Sequence, residues 1–504
     1  MSLSKVTRCL WLLVLFFGAA AGSAWCDESS AKVNVAWGKV VRVSKTTATL
    51  QVVVNPMVRR GSPIHDEAFA ALHDLQADFV RYVPWLPYPK LGVAELDPPA
   101  KGKTSWDFSL VDPLTVDFLE ATAGHPVVLN FSIIPQWMFR TPKPVSYPQN
   151  PDQATWNYQQ GAELRDPSMK ELGDYYGRLV AWYTQGGFKD EFGQWHASGH
   201  HYKVDFWEVL NEVDFEHSMT PQQYTARYDA MVEGIRRVAP HMKFVGLALA
   251  APSRDPRFFE YFLNPKNHKP GIPLDMISYH FYASPTPDQS LDAQQFTFFE
   301  QADHFLDVVR YIEAIRERLS PGTGTMINEI GAIAAEDGAQ GEPGYVFKPI
   351  PGAYWNLCAA LYAYVYAQLA RQGIDAAGES QLVGYPSQFP SVTMIDWTTG
   401  KPNARYWALK LLRDNFGPGD KLVETEINVP YVLAQGFVTR DGRHKILLVN
   451  KRNRPMEVSI PGAKGAQVGF VDQTTGFDPP RTAPAREDQV SLPALGVAVV
   501  TLAP

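Results

Sequence analysis

From about residue 46 to 416 the chain alternates short, almost continuously apolar runs with longer segments of helical period. The runs are Ala48–Val54, Asp78–Val83, Pro126–Ile134, Val204–Asn211, Lys243–Ala250, Asp275–Tyr282, Thr325–Gly331 and Ile374–Val383. Unbroken apolarity over such lengths suits parallel strands covered on both faces. Between and after them the spacing predicts helices over His65–Gln76, Pro113–Ala123, Pro167–Gln185, Pro221–Ala239, Pro256–Leu263, Phe298–Leu319, Ala353–Gln372 and Ala404–Asn415. Thr220-Pro221, Asp166-Pro167 and Asp255-Pro256 each place a capping side chain before a proline at the first helical position. Eight strands alternating with eight helices predict an α/β fold, the (β/α)8 TIM barrel. No internal repeat or low-complexity tract interrupts it.

The pattern changes near Gly417-Pro418-Gly419. Beyond it come short strand-like runs at Tyr431–Thr439, Lys445–Asn450, Met456–Ile460, Gln467–Val471 and Val497–Leu502, punctuated by turns such as Asp441-Gly442. This predicts a small C-terminal antiparallel β-sandwich. Val33–Val43 is strand-like as well and is a candidate member of that sandwich. The expected division is a signal peptide over 1–26, an N-terminal strand segment over 27–45, the barrel over 46–417 and the sandwich over 418–504.

Lys5 and Arg8 precede the apolar run Cys9–Ala21, and the small residues Gly22, Ser23 and Ala24 follow it. That is the layout of a signal peptide, so the mature protein is expected to be secreted or periplasmic. The run falls short of the ~20 residues of a membrane span, and an uncleaved anchor is the alternative. Cleavage after Ala24 leaves Cys26 and Cys358, and cleavage after Cys26 leaves Cys358 alone. The apolar stretch Ala353–Ala370 contains Asn356 and Gln368 and reads as a buried core helix.

Composition narrows the classes. Among 504 residues, 45% are hydrophobic and 20% charged, which is ordinary globular usage. The balance of 46 basic against 53 acidic residues gives −7, and the densest basic cluster is Lys451-Arg452-Asn453-Arg454. A nucleic-acid footprint is not expected from that distribution, and a strongly anionic polymer is disfavoured as substrate. Three cysteines exclude a disulfide scaffold and a Cys-ligated zinc module. Thirteen tryptophans suit a protein that stacks on flat apolar faces such as sugar rings.

In a (β/α)8 barrel the chemistry sits at the C-terminal ends of the strands. The fourth expected strand ends Leu210-Asn211-Glu212 and the seventh contains Ile327-Asn328-Glu329. Two carboxylates facing each other across a barrel mouth fit glycosidic-bond cleavage, one protonating the departing oxygen and the other attacking the anomeric carbon. One of them must be desolvated, or lie close to the other, to keep its proton.

The pattern resembles the clan A glycoside hydrolases, most of all family 39, which includes β-xylosidases and α-L-iduronidases. The resemblance implies that Glu212 is the acid/base, that Glu329 is the nucleophile and that Asn211 binds the sugar 2-hydroxyl. Phe79-Val80-Arg81-Tyr82 resembles the second strand, whose arginine lies near the nucleophile. Phe131–Trp137 resembles the third-strand segment. Ser278-Tyr279-His280-Phe281-Tyr282 resembles the sixth strand, where His280 and Tyr282 would line the sugar subsite and either one would bond Glu329. The stretch Lys401–Val423 resembles the last barrel helix leading into the accessory domain. The chain departs from the family's Asn-Glu-Pro-Asn with Asn211-Glu212-Val213-Asp214. Tyr385, Phe389 and Trp397 are the candidates for the aromatic that the eighth strand normally offers.

Other constellations read as structural. His196, His200 and His201 lack the metal-binding spacing and are expected on a loop, Asp214 and Glu216 are expected to be loop acids, and Asn130-Phe131-Ser132 falls in a buried strand. Among Trp85, Trp137 and Trp207, Trp137 is the expected stacking platform and Trp207 a core residue. The sequence therefore predicts a secreted retaining glycoside hydrolase acting on a glycoside, oligosaccharide or polysaccharide. It needs no metal or organic cofactor, because two carboxylates supply both proton and nucleophile. A non-catalytic carbohydrate-binding protein and a transglycosylase on the same scaffold are the alternatives.

Overall fold

The computed structural model describes residues 30–503 apart from 142, 144–146, 157–162 and 341–343. The expected signal peptide and Cys26 lie outside the described residues. Eight parallel strands close into a barrel: Thr47–Val53, Val80–Val83, Val127–Leu129, Phe206–Glu208, Lys243–Leu249, Met276–Ala283, Gly324–Ala332 and Ala376–Glu379. The last pairs with the first, Ala376 opposite Thr47, which seals the cylinder. Each lies inside or within a residue of an apolar run read from the sequence.

Period-two alternation builds the barrel interior in layers. Phe79, Val128, Phe206, Met276 and Met326 form part of an apolar plug at the N-terminal end. Two residues further along the same strands come Arg81, Asn130, Glu208, Ser278 and Asn328, all buried and polar. Glu208 joins this second layer, accepting hydrogen bonds from Arg81 Nε at 2.5 Å, Asn130 Nδ2 at 2.6 Å, Ser278 Oγ at 2.5 Å and Asn328 Nδ2 at 2.6 Å. A fully buried carboxylate is tolerated because donors surround it.

Eight helices in the expected places surround the barrel. Thr220 closes a capping box with Gln223 and Pro221 opens the helix, as the sequence signals. Asp166-Pro167 does not start its helix. Asp166 instead accepts the backbone N–H groups of Ser168 and Glu171 in a turn, and the helix begins at Lys170. The sixth helix begins at Leu291, one to two turns before the expected Phe298, because Ser290 caps it. Helices Lys170–Thr184 and Pro221–Arg236 touch backbone to backbone, and a Cβ on Gly234 would lie 1.9 Å from the Gly173 carbonyl oxygen. Helix Gly352–Gln372 is buried along most of its length, and no described helix is long and apolar enough to cross a membrane.

The second body is a curled nine-stranded sheet rather than two separate sheets, and its bend wraps a core of its own. Strand Ala31–Val43 enters it by pairing antiparallel with Lys421–Ile427 and parallel with Met456–Ser459. Strands 421–427, 481–484 and 489–492 were not apparent from hydrophobic pattern, since each mixes polar residues into a short run. Alternate residues on His444–Asn450 and Val497–Thr501 face the two cores. Ile446, Leu448, Ala498 and Val500 pack inside the curl, while Leu447, Val449, Val497 and Val499 join the barrel's core. His196 lies on a two-stranded hairpin, Gly187–Lys189 with Trp195–Ala197, and not on the expected irregular loop.

Candidate active site

The barrel's C-terminal mouth gathers the two carboxylates. Glu329 reaches it through a β-bulge: Ile327 pairs with Tyr279 and Glu329 with His280, leaving Asn328 as the extra residue. In a regular strand Asn328 and Glu329 would point to opposite faces. The bulge lets both turn inward, Asn328 onto Glu208 and Glu329 onto Arg81. Gly378 on the neighbouring strand makes room, since a Cβ there would lie 2.9 Å from the Asn328 carbonyl oxygen.

Glu212 follows the fourth strand in a left-handed conformation, φ 41°, and Leu210 is at φ 65°. Non-glycine residues rarely adopt these angles, and such strain persists where surrounding bonds hold it. Here the Glu212 amide donates to the Ala248 carbonyl at 2.8 Å.

One oxygen each from Glu212 and Glu329 and a ring nitrogen of His280 lie within 4.8 Å of one another. His280 sits between the carboxylates, Nδ1 at 3.0 Å from Glu212 Oε1 and Nε2 at 3.5 Å from Glu329 Oε1. Arg81 Nη1 donates to Glu329 Oε1 at 2.5 Å, and the Tyr282 hydroxyl donates to Oε2 at 2.6 Å. The sequence leaves open whether His280 or Tyr282 bonds Glu329: Tyr282 makes the hydrogen bond, and His280 Nε2 stands within ion-pair reach without one.

The two acids experience opposite electrostatics. Burial would raise Glu329, but the charges of His280 and Arg81 and the bonds from Tyr282 and Arg81 outweigh it and hold the group below the usual carboxylate range. Burial raises Glu212, the negative charge of Glu329 adds to the effect, and the His280 contact only partly offsets them. Burial also opposes charge on His280, yet the two carboxylates push its affinity for protons above the ordinary value. The proton affinity of one carboxyl is thereby lowered and that of the other raised, the direction of difference that acid-assisted displacement uses.

A cavity of about 390 Å³ opens over these groups, walled by Trp85, Trp156 and Phe389. Asn211 lines it, accepting from Arg81 Nη2 at 2.5 Å. Thus Glu212, Glu329, Asn211, Arg81, His280 and Tyr282 come together as one network. Trp137 does not join them. Its indole N–H donates to the Glu95 carbonyl at 2.8 Å and Arg165 covers its ring at 4.3 Å, so the chain turns this side chain away from the cavity. Trp85 takes the wall position instead. Of the three eighth-strand aromatics, Phe389 reaches the cavity while Trp397 packs on Phe347.

Asp214 and Glu216 are loop acids as expected: Asp214 accepts the Ala250 and Ala251 amides at 2.9 and 3.0 Å. Glu216 is in addition buried against Trp85 and Asn211. His196 bonds Asp190 at 2.8 Å and His200 bonds Asp112 at 3.1 Å, so each imidazole is held by a carboxylate near the surface. Asn130 is wholly buried on Glu208. Cys358 is buried too, and burial pushes its thiol up to about 12. Sequence reasoning missed Glu208, Gln51, Ser380 and Trp156. Glu208 carried a signal, a lone acid inside the apolar run Phe206–Leu210.

Residues 189–321, which include Glu212, His280 and Tyr282, match the model for glycosyl hydrolases family 39. That segment of the chain is similar to family 39. Solved structures share the fold at low sequence identity. A GH51 arabinofuranosidase from Xanthomonas axonopodis pv. citri superposes with TM-score 0.61 at 14% identity, covering 94% of this chain and 100% of that one. A GH30 endoxylanase from Clostridium papyrosolvens gives 0.57 at 14%, covering 94% and 100%. A glucosidase from Croceicoccus marinus gives 0.59 at 17%, covering 94% and 99%. No curated protein matches the chain in sequence.

Proposed function

We propose that the protein is a retaining glycoside hydrolase in which Glu212 is the general acid/base and Glu329 the nucleophile. The observation that carries this reading is the pairing of a carboxylate bound by Arg81 and Tyr282 beside His280 with a second carboxyl whose oxygen lies within 4.8 Å, the first held below the usual carboxylate range and the second pushed above its ordinary value. Retaining enzymes keep these groups ~5–5.5 Å apart, whereas inverting ones leave ~6.5–9.5 Å for a water between them.

In the first step Glu329 forms a bond to the anomeric carbon as the glycosidic C–O bond breaks, and Glu212 gives its proton to the leaving oxygen. In the second, Glu212 takes a proton from water, whose oxygen attacks the anomeric carbon and releases Glu329. Asn211 binds the sugar 2-hydroxyl, a contact that strengthens as positive charge develops. Arg81, His280 and Tyr282 tune Glu329. The apolar run Cys9–Ala21 supports export of the protein, secreted or periplasmic.

The test is a screen of aryl glycosides followed by trapping with the matching 2-fluoro sugar. The label is expected on Glu329, and Glu329→Gln is expected to abolish turnover while keeping sugar binding. Label on another residue, or binding without turnover by the unaltered protein, overturns the assignment.

A further inference from the structure

Neither catalytic role accounts for Glu216. It lies four residues beyond Glu212, and its side chain is only 2% exposed. Its Oε1 accepts two hydrogen bonds, one from the Trp85 indole N–H and one from Asn211 Nδ2 at 2.8 Å. Its Oε2 is buried without a hydrogen-bond partner among the described residues, and Nε2 of the buried His217 lies 3.9 Å from it. Both donors line the cavity. A single acceptor therefore anchors a wall and a polar contact of the same sugar-sized space.

The geometry of Asn211 sharpens the point. Arg81 holds its amide oxygen, which settles which end of the amide is NH2. That NH2 carries two hydrogens, and Glu216 takes one. The other is left for a ligand. Removing Glu216 would leave the amide held at one end only and the indole N–H of Trp85 without its acceptor.

We propose that Glu216 is a positioning residue that fixes the free Asn211 N–H and the Trp85 ring against the sugar, and so sets recognition of the 2-hydroxyl. This rests on the hydrolase reading above. Burial, with the charge of Glu212 added, pushes the Glu216 carboxyl well above the usual carboxylate range. Only its Oε1 is used, as an acceptor, and the amide oxygen of glutamine copies that acceptor.

The experiment compares Glu216→Gln, Glu216→Ala and Glu216→Met on an aryl glycoside and on its 2-deoxy counterpart. Losing the anchor is expected to lower kcat/KM on the 2-hydroxy substrate by about tenfold to a hundredfold in both the Ala and Met variants, the scale of an orphaned buried hydrogen bond. The 2-deoxy substrate makes no such contact and loses only what the Trp85 ring contributes, so its kcat/KM is expected to fall by several-fold less than that of the 2-hydroxy substrate. Gln is expected to recover most of the loss. Met keeps the volume, so agreement between the Ala and Met variants separates the lost acceptor from a lost fill. Equal losses on both substrates, no loss in Ala or Met, or a Gln variant as impaired as Ala overturns the proposal.

A second readout does not depend on turnover. The Trp85 indole N–H resonance, assigned through Trp85→Phe, is expected to keep its position in Gln and to move in Ala and Met. An unmoved resonance overturns the proposal. If the unaltered protein cleaves no glycoside, the hydrolase reading fails, while the resonance still decides whether Glu216 holds Trp85.

Discussion

At the scale of single residues, the site separates two chemically identical side chains by what surrounds them. In the proposed mechanism Glu329 is charged and Glu212 protonated for the first step. Because Glu329 is held below the usual carboxylate range and Glu212 above it, the pH profile of kcat/KM is expected to be a bell with its acid limb below that range and its alkaline limb above it. Tyr282→Phe removes a donor to the charged form of Glu329. Its acid limb is therefore expected to move upward in pH while the alkaline limb stays, which a pH–rate profile on one substrate checks. Glu208 illustrates the opposite use of a carboxylate. It touches no cavity, yet Glu208→Ala strands the buried Arg81 with one carboxylate fewer and is expected to cost about 3–5 kcal/mol in urea unfolding. The meeting of Glu212 and Glu329 was legible in the sequence because Asn-Glu occurs near the ends of two independently recognised strands. Glu216 was not legible, because its position past the strand end says nothing of the loop's return over Trp85.

At the scale of elements, hydrophobic period located all eight barrel strands and all eight helices, and missed what period cannot encode. A bulge changes the count of residues per pair without changing apolarity, so the inward turn of Glu329 beside Asn328 had no signature in the pattern. Likewise the hairpin around His196 is too short and too polar to show. Close helix packing leaves a trace only in small residues. Gly173, Gly177 and Gly234 let two helices meet through their backbones. Gly234→Ala gains up to ~1 kcal/mol of helix propensity, but the added methyl would overlap a carbonyl. The variant is expected to be less stable by about 1–3 kcal/mol, measured as a lowered unfolding midpoint in denaturant. On the eighth strand, buried Glu379 pairs with Arg405 at 2.9 Å, and Arg405 also donates to the Ser380 carbonyl beside the cavity. The last helix is thereby tied to the strand end that carries Ser380.

At the scale of the molecule, the curled sheet is a continuation of the barrel's packing. Leu433, Phe437, Leu447 and Val499 belong to the barrel's apolar core, and Arg371 on the seventh helix donates to Gln435 of the sheet. Lys445 reaches Asn415 at 2.8 Å, and the Asn453 amide reaches Gln295 at 2.8 Å. A shared apolar seam of this kind couples the two bodies. The full chain is expected to melt in one transition by calorimetry. Removing 418–504 is expected to give an insoluble or aggregating barrel, seen by light scattering, because the outer faces of its last two helices lose their cover.

The strand Ala31–Val43 has a consequence for biosynthesis. It is synthesised before the barrel, whereas its partners Lys421–Ile427 and Met456–Ser459 follow the barrel. The whole barrel is made while this strand waits with both hydrogen-bonding edges open, and it must be kept from pairing with other nascent chains until those partners emerge. The cost of that delay falls on cellular chaperones, and it makes yield on expression more sensitive to changes on this one ribbon than its thirteen residues would suggest.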